Sequence, residues 1–282
     1  MTDSRLSIKL NHFCYPDGTT ALANIHLNVA HGEFTGILGA NGSGKTTLLK
    51  IMDGLIRDYS GSVLLDGVDI LKLKPREIYR KVGLVFQNPD DQLFAQTVFE
   101  DVAFGPRNMG FHEDEVRHRV QAALFQVEMA EASARNIHNL SYGQKKRVCI
   151  AGLLAMGHEI LLLDEPTAGL DPVGELRMME LLSALNANHG VTIIMATHSV
   201  DLTPLFLHRL HVLDHGRVVL SGSSEEVFTS PEILTSVRLR LPHVAELFHL
   251  ARHEDMLPFD GLPLTIAQAR QKLRDAFRAH PA

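Results

Sequence analysis

Two glycine-containing segments of the chain have the residue types that bind phosphate groups at the start of a helix. The first is Gly39-Ala-Asn-Gly-Ser-Gly-Lys-Thr46, and the second, about a hundred residues later, is Leu140-Ser-Tyr-Gly-Gln144. Glycine lets backbone amides approach an anion closely, and a helix N-terminus adds favourable partial charge. Because one nucleotide needs only one such loop on each face, the pair predicts an active site that a second copy of the chain completes.

The first segment matches the pattern Gly-x-x-x-x-Gly-Lys-Thr between a predicted strand and a predicted helix, which is the context of a P-loop. Lys45 is expected to reach the β- and γ-phosphates of a nucleotide, and the Thr46 hydroxyl to ligate Mg²⁺. The residues expected to bind nucleotide in this segment are Gly39, Asn41, Gly42, Ser43, Gly44, Lys45, Thr46 and Thr47.

Two adjacent acids follow the apolar run Ile160-Leu-Leu-Leu163, which predicts a strand buried on both faces. Asp164 is placed to hold Mg²⁺, and Glu165 to act as the general base that polarises a water in line with the γ-phosphate. Two acids at a strand end are weak evidence alone, since solvated strand ends often carry them. Together with a P-loop, they predict nucleotide hydrolysis.

Three further polar residues follow predicted strands or the acid pair: Gln87, Asp171 and His198. A single histidine in such a place is more often structural than functional. The sixteen histidines of the chain show no convincing zinc spacing, so no protein-bound transition metal is expected.

The composition of the 282 residues is that of a globular protein, with 45% hydrophobic and 21% charged residues. A net charge of -6 argues against nucleic acid as the main partner, because binding a phosphate backbone needs many cationic contacts. The apolar runs are much shorter than the roughly 20 residues that span a bilayer, and the N-terminus lacks the apolar core of a secretion signal. Two cysteines, Cys14 and Cys149, favour a reduced cytosolic protein without a disulfide.

The pattern of elements predicts a β-rich region over 5–38, which leads into the P-loop, and a mostly helical middle third. Short strands are expected at 62–65, 82–86, 160–163 and 191–196, and helices at 46–52 and 113–131. Residues 223–282 are predicted to form a small helical appendage, with starts at Ser230 before Pro231 and at a Thr265–Gln268 capping box. The last helix places Ile266, Ala269, Leu273 and Phe277 on one face, which either packs on its own domain or forms a dimer contact.

The order GANGSGKT, Gln87, LSYGQKKR, ILLLDEP, AGLD and His198 resembles the nucleotide-binding subunit of ATP-binding cassette (ABC) transporters over about residues 5–222. The resemblance implies an α/β P-loop NTPase with a parallel core sheet, an antiparallel β subdomain, a helical subdomain over about 88–158 and the appendage. It implies that Gln87 senses metal and water, that Glu165 and His198 are catalytic, and that Thr46, Gln87 and Asp164 hold Mg²⁺. Residues implied to act across a dimer are Ser141, Gly143 and Gln144 of the signature segment and Asp171.

Tyr15 occupies the place of the aromatic residue that stacks on adenine in this family. Stacking suits an aromatic residue, because a flat ring can bind the face of a base without specific hydrogen bonds. Ordinary strand packing is the other interpretation of Tyr15.

The segments 87–94, 98–106 and 140–148 resemble the ATPase of energy-coupling factor (ECF) importers. The tyrosine at 142, in place of the usual glycine, is similar to the cobalt-transporter branch.

The resemblance implies a head-to-tail dimer that ATP closes, a transmembrane coupling subunit and a substrate-specific membrane subunit, with the ATPase at the cytoplasmic face of the membrane. Residues after Gln87, including Asp90, Asp91 and Phe94, are expected to form the groove for the coupling subunit. The alternatives are a nickel or vitamin importer, a heterodimer of similar ATPases, and a cassette ATPase that acts on DNA or ribosomes.

Overall fold

The computed structural model describes residues 4–257 and 259–279, without the side chains of Phe277 and Ala279. The strands in chain order are β1 (Ser4–Cys14), β2 (Thr20–Ala30), β3 (Phe34–Leu38), β4 (Ser60–Leu65), β5 (Val68–Asp69), β6 (Val82–Val85), β7 (Ile160–Asp164), β8 (Thr192–Thr197), β9 (Arg209–Asp214) and β10 (Arg217–Gly222). The helices are α1 (Lys45–Met52), α2 (Pro75–Ile78), α3 (Val98–Asn108), α4 (Glu113–Gln126), α5 (Tyr142–Met156), α6 (Pro172–His189), α7 (Thr203–Phe206), α8 (Ser224–Phe228), α9 (Pro231–Ser236), α10 (His243–His253) and α11 (Ile266–Ala279).

The strands form two sheets. A four-stranded antiparallel sheet has the order β2-β1-β4-β5, and a six-stranded sheet has the order β10-β9-β3-β8-β7-β6. Within the second sheet, β9, β3, β8, β7 and β6 are parallel and β10 pairs antiparallel at the edge. The predicted α/β class, with a parallel core sheet and an antiparallel β subdomain, is therefore confirmed.

Two hydrophobic clusters cover the two faces of the parallel sheet, which explains why β7 is apolar at every position before its aspartate. Ile160 and Leu162 pack with the antiparallel sheet and α1, whereas Leu161 and Leu163 pack with the helices of the other face. Side chains of the C-terminal helices, such as Phe228 and Leu234, belong to the same cluster as Leu161 and Leu163. The appendage is thus packed on the same core as the sheet.

Most predicted elements are present, with one clear difference. The helix expected over 113–131 ends at Gln126, because Glu128 adopts a left-handed backbone conformation (φ 58°). The amides of Glu128 and Met129 donate to the carbonyl oxygens of Phe125 and Leu124 at 3.1 and 2.8 Å, the pattern of a Schellman motif. Glycine usually occupies that position, so a glutamate there gave no stop signal.

In the appendage, the Thr265–Gln268 capping box forms in both directions, each bond at 3.2 Å, and α11 follows it as predicted. Helix α9 begins at Pro231, although the Ser230 side chain makes no capping bond. On the predicted α11 face, Ala269 is buried while Ile266 and Leu273 are exposed. The side chain of Phe277 lies outside the described residues, so whether this face is a dimer contact stays a prediction.

Among the described helices, none has the length and apolar character that a bilayer crossing requires.

Asp53, directly after α1, provides a stability test of the P-loop helix. Burial raises the pKa of this carboxyl group to about 7, while the unfolded chain releases the proton near the ordinary value of 3.8. The folded state therefore binds the proton more tightly, and stability falls as the pH rises from about 4 to about 7. A charged carboxylate here would also be repelled by the partial negative charge at the C-terminus of α1, which likewise favours the protonated form.

We predict that Asp53→Asn raises the thermal unfolding midpoint relative to the wild type more at about pH 8 than at about pH 5. Asp58→Asn, at an exposed position, is the matched control and should show no such pH dependence. A difference between Asp53→Asn and the wild type that is the same at both pH values would contradict the prediction.

Candidate functional site

The P-loop lies at the carboxyl end of β3 and curls into the N-terminus of α1. Gly39 has no room for a side chain, since a Cβ there would lie 2.4 Å from Ser43 Oγ and 2.5 Å from the Leu213 carbonyl oxygen. Gly44 precedes α1 with φ 107°, a conformation that favours glycine. The loop therefore needs glycine for close packing at its start and for backbone conformation at its end.

Lys45 lies nearly buried within this loop. Its Nζ donates to the carbonyl oxygens of Gly39 at 2.7 Å and Ala40 at 3.2 Å, and lies 3.5 Å from Glu165 Oε1. The ammonium group is thus held between the P-loop backbone and the acid pair, where it can meet the negative charge of a phosphate.

Thr46 and Asp164 are brought together by the parallel alignment of β3 and β7 through β8. The Thr46 hydroxyl donates to Asp164 Oδ2 at 2.7 Å, and Asp164 Oδ1 is buried without a hydrogen-bond partner. Burial raises the pKa of Asp164, an effect that the Thr46 hydrogen bond opposes. A buried carboxylate oxygen without a partner is costly unless a cation or its water completes the site, so these residues fit Mg²⁺.

Glu165 is held in an unusual backbone conformation beside His198. Its backbone is left-handed (φ 49°), and its Oε1 lies 3.0 Å from His198 Nδ1. The carboxylate is nearly buried, between His198 and Lys45. Backbone strain at a non-glycine residue costs free energy and is common at active sites, so the arrangement suits a general base at a defined position.

These residues enclose a cavity of about 600 Å³ at the carboxyl edge of the parallel sheet. Tyr15 lines its outer part and its hydroxyl lies 2.8 Å from Thr47 Oγ1. Tyr15 is 38% exposed, so part of the residue is accessible beside the cavity. Residues predicted from the sequence that line the cavity are Tyr15, Asn41, Gly42, Ser43, Gly44, Lys45, Thr46, Thr47, Gln87, Asp164 and Glu165.

The remaining predicted residues do not line this cavity. Ser141 and Gln144 form the capping box of α5, with backbone-to-side-chain bonds of 3.0 and 3.3 Å, and Gly143 lies between them. Asp171 caps α6 by accepting from the Gly174 amide at 2.6 Å. His198 contacts Glu165 from a neighbouring cavity. The signature segment is thus a second potential anion site, and it lies outside the cavity that the P-loop of the same chain lines.

The loop after Gln87 is tied to the start of α5, which the sequence did not suggest. The Tyr142 hydroxyl donates to the Gln87 carbonyl oxygen at 3.2 Å, and Lys145 Nζ lies 2.6 Å from Asp90 Oδ1. Asp90 therefore has a partner within its own chain while 56% of its side chain stays exposed, and its predicted place in the partner groove stays a prediction.

Lys146 and Asp201 hold loops beside the site, and neither was predicted from the sequence. Lys146 donates to backbone carbonyls behind Glu165, whereas Asp201 accepts from Arg240 and from the His243 amide, joining the loop after His198 to the appendage. The buried helical face shared by Lys146 and Ile150 was the one signal that could have marked Lys146.

The fold and the cavity define a P-loop nucleoside triphosphatase, and comparison with known proteins narrows the class. The family described as ABC transporter matches residues 22–168. A Geobacter sulfurreducens protein named as an ABC transporter ATP-binding protein is 68% identical over 96% of this chain and 97% of its own length. An ECF transporter ATP-binding protein, EcfA, of Methanocaldococcus jannaschii is 46% identical over 93% of this chain and 94% of its own.

A solved structure of cbiO1 from Clostridium perfringens, part of the ABC transporter complex cbiONQ, superimposes with a TM-score of 0.77 at 43% identity, covering 88% of this chain and 99% of that one. The chain belongs to the ABC transporter family, as an ATP-hydrolysing subunit of the ECF type. The sequence-based recognition of the family is thereby confirmed.

The close packing at Gly39 gives a test of the loop. We predict that Gly39→Ala weakens ATP binding by about tenfold or more, because the new Cβ displaces Ser43 and the Leu213 backbone and so reshapes the phosphate-binding amides. Binding of a fluorescent ATP analogue to the purified chain measures the effect.

Gly152→Ala is the matched control, since a Cβ at this α5 position meets no atom within 4 Å. The control should bind the analogue as the wild type does. Equal affinity of the two variants would show that the contacts at Gly39 do not shape the loop.

Proposed function

We propose that this chain powers an ECF-type importer by hydrolysing ATP at sites shared between two copies. The observation that carries the proposal is the division of the site: Lys45, Thr46, Asp164 and Glu165 line one cavity, whereas Ser141 and Gly143 lie outside it. In a head-to-tail dimer, each ATP would lie between one P-loop and the opposite signature segment. A dimeric ATP-binding cassette, MJ0796 bound to ADP and Pi, supports this arrangement, with a TM-score of 0.70 at 31% identity over 78% of this chain and 98% of that one.

The chemistry is displacement at the γ-phosphorus. Glu165 accepts a proton from water, the water oxygen bonds to phosphorus, and the bond to the bridging oxygen of ADP breaks, which yields ADP and phosphate. Thr46, Asp164 and Gln87 would hold Mg²⁺, which neutralises charge on the β- and γ-phosphates when bound. Lys45 and His198 lie beside Glu165, where they can contact the γ-phosphate and help to fix the carboxylate.

Removal of the γ-phosphate would loosen the interface and reopen the dimer, a shift between two states that ligand affinity drives. Tyr15 would stack on the adenine, and Asp171 would face the other subunit. In this proposal the ATPase works at the cytoplasmic face of the cell membrane, attached through a transmembrane coupling subunit and a substrate-specific membrane subunit.

Exchange of the proposed base tests the hydrolysis mechanism. We predict that Glu165→Gln retains ATP binding and accumulates a closed dimer, while turnover falls by about two orders of magnitude or more, because the amide cannot accept the proton. Phosphate release and size-exclusion chromatography with ATP measure the two effects. Near-normal turnover would show that another group activates the water.

The surface for the membrane partner is proposed at Phe94 and Phe104. Their rings meet edge to face with centroids 4.6 Å apart, and they are 65% and 48% exposed. Phe94 lies in the segment after Gln87 and Phe104 lies on α3, so the pair belongs to the part of the chain that directly follows a cavity-lining residue. Exposed aromatic pairs of this kind are typical of protein–protein contact sites.

We predict that Phe94→Ser combined with Phe104→Ser abolishes co-purification with the membrane subunits while the purified variant still binds ATP. Phe125→Ser on α4, at a residue 78% exposed and away from this pair, is the matched control and should co-purify normally. Retained co-purification of the double variant would place the docking surface elsewhere.

The proposed cargo is cobalt(II), and nickel(II) or a vitamin is the alternative. The signature tyrosine and the likeness to cbiO1 support cobalt. The membrane partner selects the cargo, so identification of the co-purified subunits and uptake of Co²⁺ and Ni²⁺ by cells that express the complex would distinguish the alternatives. An ATPase acting on nucleic acid is less well supported because the chain is acidic.

A further inference from the structure

Lys146, on the second turn of α5, is a buried cation that the proposed mechanism does not use. Its side chain is 1% exposed, and its Nζ donates to the carbonyl oxygens of Glu165 at 2.7 Å and Ala168 at 2.8 Å. Within the described residues, no carboxylate oxygen lies within ion-pair distance of this group. Burial lowers the pKa of Lys146 to about 8.

The two carbonyl groups belong to the turn that orients Glu165. The Ala168 amide donates to the Glu165 carbonyl oxygen at 3.1 Å, so that oxygen accepts from both the turn and Lys146. The Glu165 amide donates to the Ala196 carbonyl oxygen at 3.0 Å, and the backbone between these bonds is left-handed. The direction of the carboxylate depends on this backbone, so a contact with the Glu165 carbonyl oxygen also constrains the side chain.

The same face of α5 contacts the surrounding loops one turn earlier. Tyr142, four residues before Lys146, lies with its ring against Gly169 and donates its hydroxyl to the Gln87 carbonyl oxygen. The Lys146 ammonium group lies 5.1 Å from the centre of that ring. Ser141 directly precedes this turn, so a short set of contacts through Tyr142 and Lys146 joins the signature segment to the turn at Glu165.

An uncharged side chain of similar length would fill this space without the cost of burying a charge, so packing alone does not account for a lysine. What the lysine adds is two charge-assisted hydrogen bonds to adjacent parts of one turn. Such bonds limit rotation of the peptide groups at Glu165 and Ala168.

We propose that Lys146 is a positioning residue for Glu165, holding the turn from Glu165 to Ala168 so that the carboxylate keeps its orientation toward the attacking water. Because Lys146 lies on the helix that begins with the signature segment, it links the ATP bound across the dimer to the base of the chain's own site. The inference rests on the proposed function, since it takes Glu165 as the general base.

The test compares Lys146→Met, which keeps length and removes the donors, with Lys146→Gln, which can still donate to one carbonyl group. We expect Lys146→Met to lower kcat by about tenfold or more with the KM for ATP little changed, since small displacements of a base are costly. Lys146→Gln should recover part of the loss. Arg147→Met is the matched control, because Arg147 lies on the same helix but contacts Val127 and Glu128; it should retain wild-type kcat.

A second measurement separates positioning from general damage to the fold. In a Glu165→Gln background, single-turnover hydrolysis should not fall further on addition of Lys146→Met, because Lys146 acts through the carboxylate that is already absent. A wild-type kcat for Lys146→Met, an equal loss in both backgrounds, or a loss confined to ATP affinity would overturn the inference. If Glu165→Gln itself hydrolysed ATP normally, the proposed function would fail instead.

Discussion

The alignment of parallel strands at one edge of the sheet is the constraint on which the site depends. Leu38 at the end of β3 pairs with Thr197 on β8, and Ala196 on β8 pairs with Asp164 on β7. This alignment places the P-loop, the acid pair and His198 in a single layer. Because Thr46 and Asp164 are 118 positions apart in the chain, they meet only through this alignment, and a slip of one residue in any of these strands would separate them.

Two hydrophobic clusters make this alignment stable while the edge itself carries unpaired polar groups. Every residue of β7 is buried, yet at its end Asp164 Oδ1 has no hydrogen-bond partner, and Ser43 Oγ in the P-loop also has none. Buried polar atoms without partners cost free energy, and the apolar packing on both faces of the sheet offsets that cost. Both residues line the cavity where nucleotide phosphates and a cation would bind, so a bound ligand could supply the missing partners.

The sequence predicted which residues line the cavity better than it predicted the contacts that hold them in place. Lys45, Thr46, Asp164 and Glu165 were identified because each follows a strand and has a specific chemical role. Lys146 was not identified, because its donors act on backbone carbonyls and any strand end or turn offers such acceptors. The end of α4 and the pairing of Asp90 with Lys145 were missed for related reasons: a glutamate takes a conformation typical of glycine, and an exposed aspartate finds its partner only in the fold.

The two anion-binding segments differ in what they can do within one chain. The P-loop is surrounded by the acids and Gln87, whereas the signature segment presents a capped helix start whose own side chains, Ser141 and Gln144, already satisfy each other's backbone amides. In the proposed dimer, that segment would contribute to hydrolysis by contacting a phosphate held by the other copy. Tyr142 belongs to this segment and contacts the Gln87 carbonyl oxygen, and Lys146 follows on the same helix and contacts the Glu165 carbonyl oxygen. A phosphate bound at the segment would therefore affect the catalytic groups proposed for its own subunit. In the proposed dimer, each copy would therefore adjust its own base according to the nucleotide held by the other.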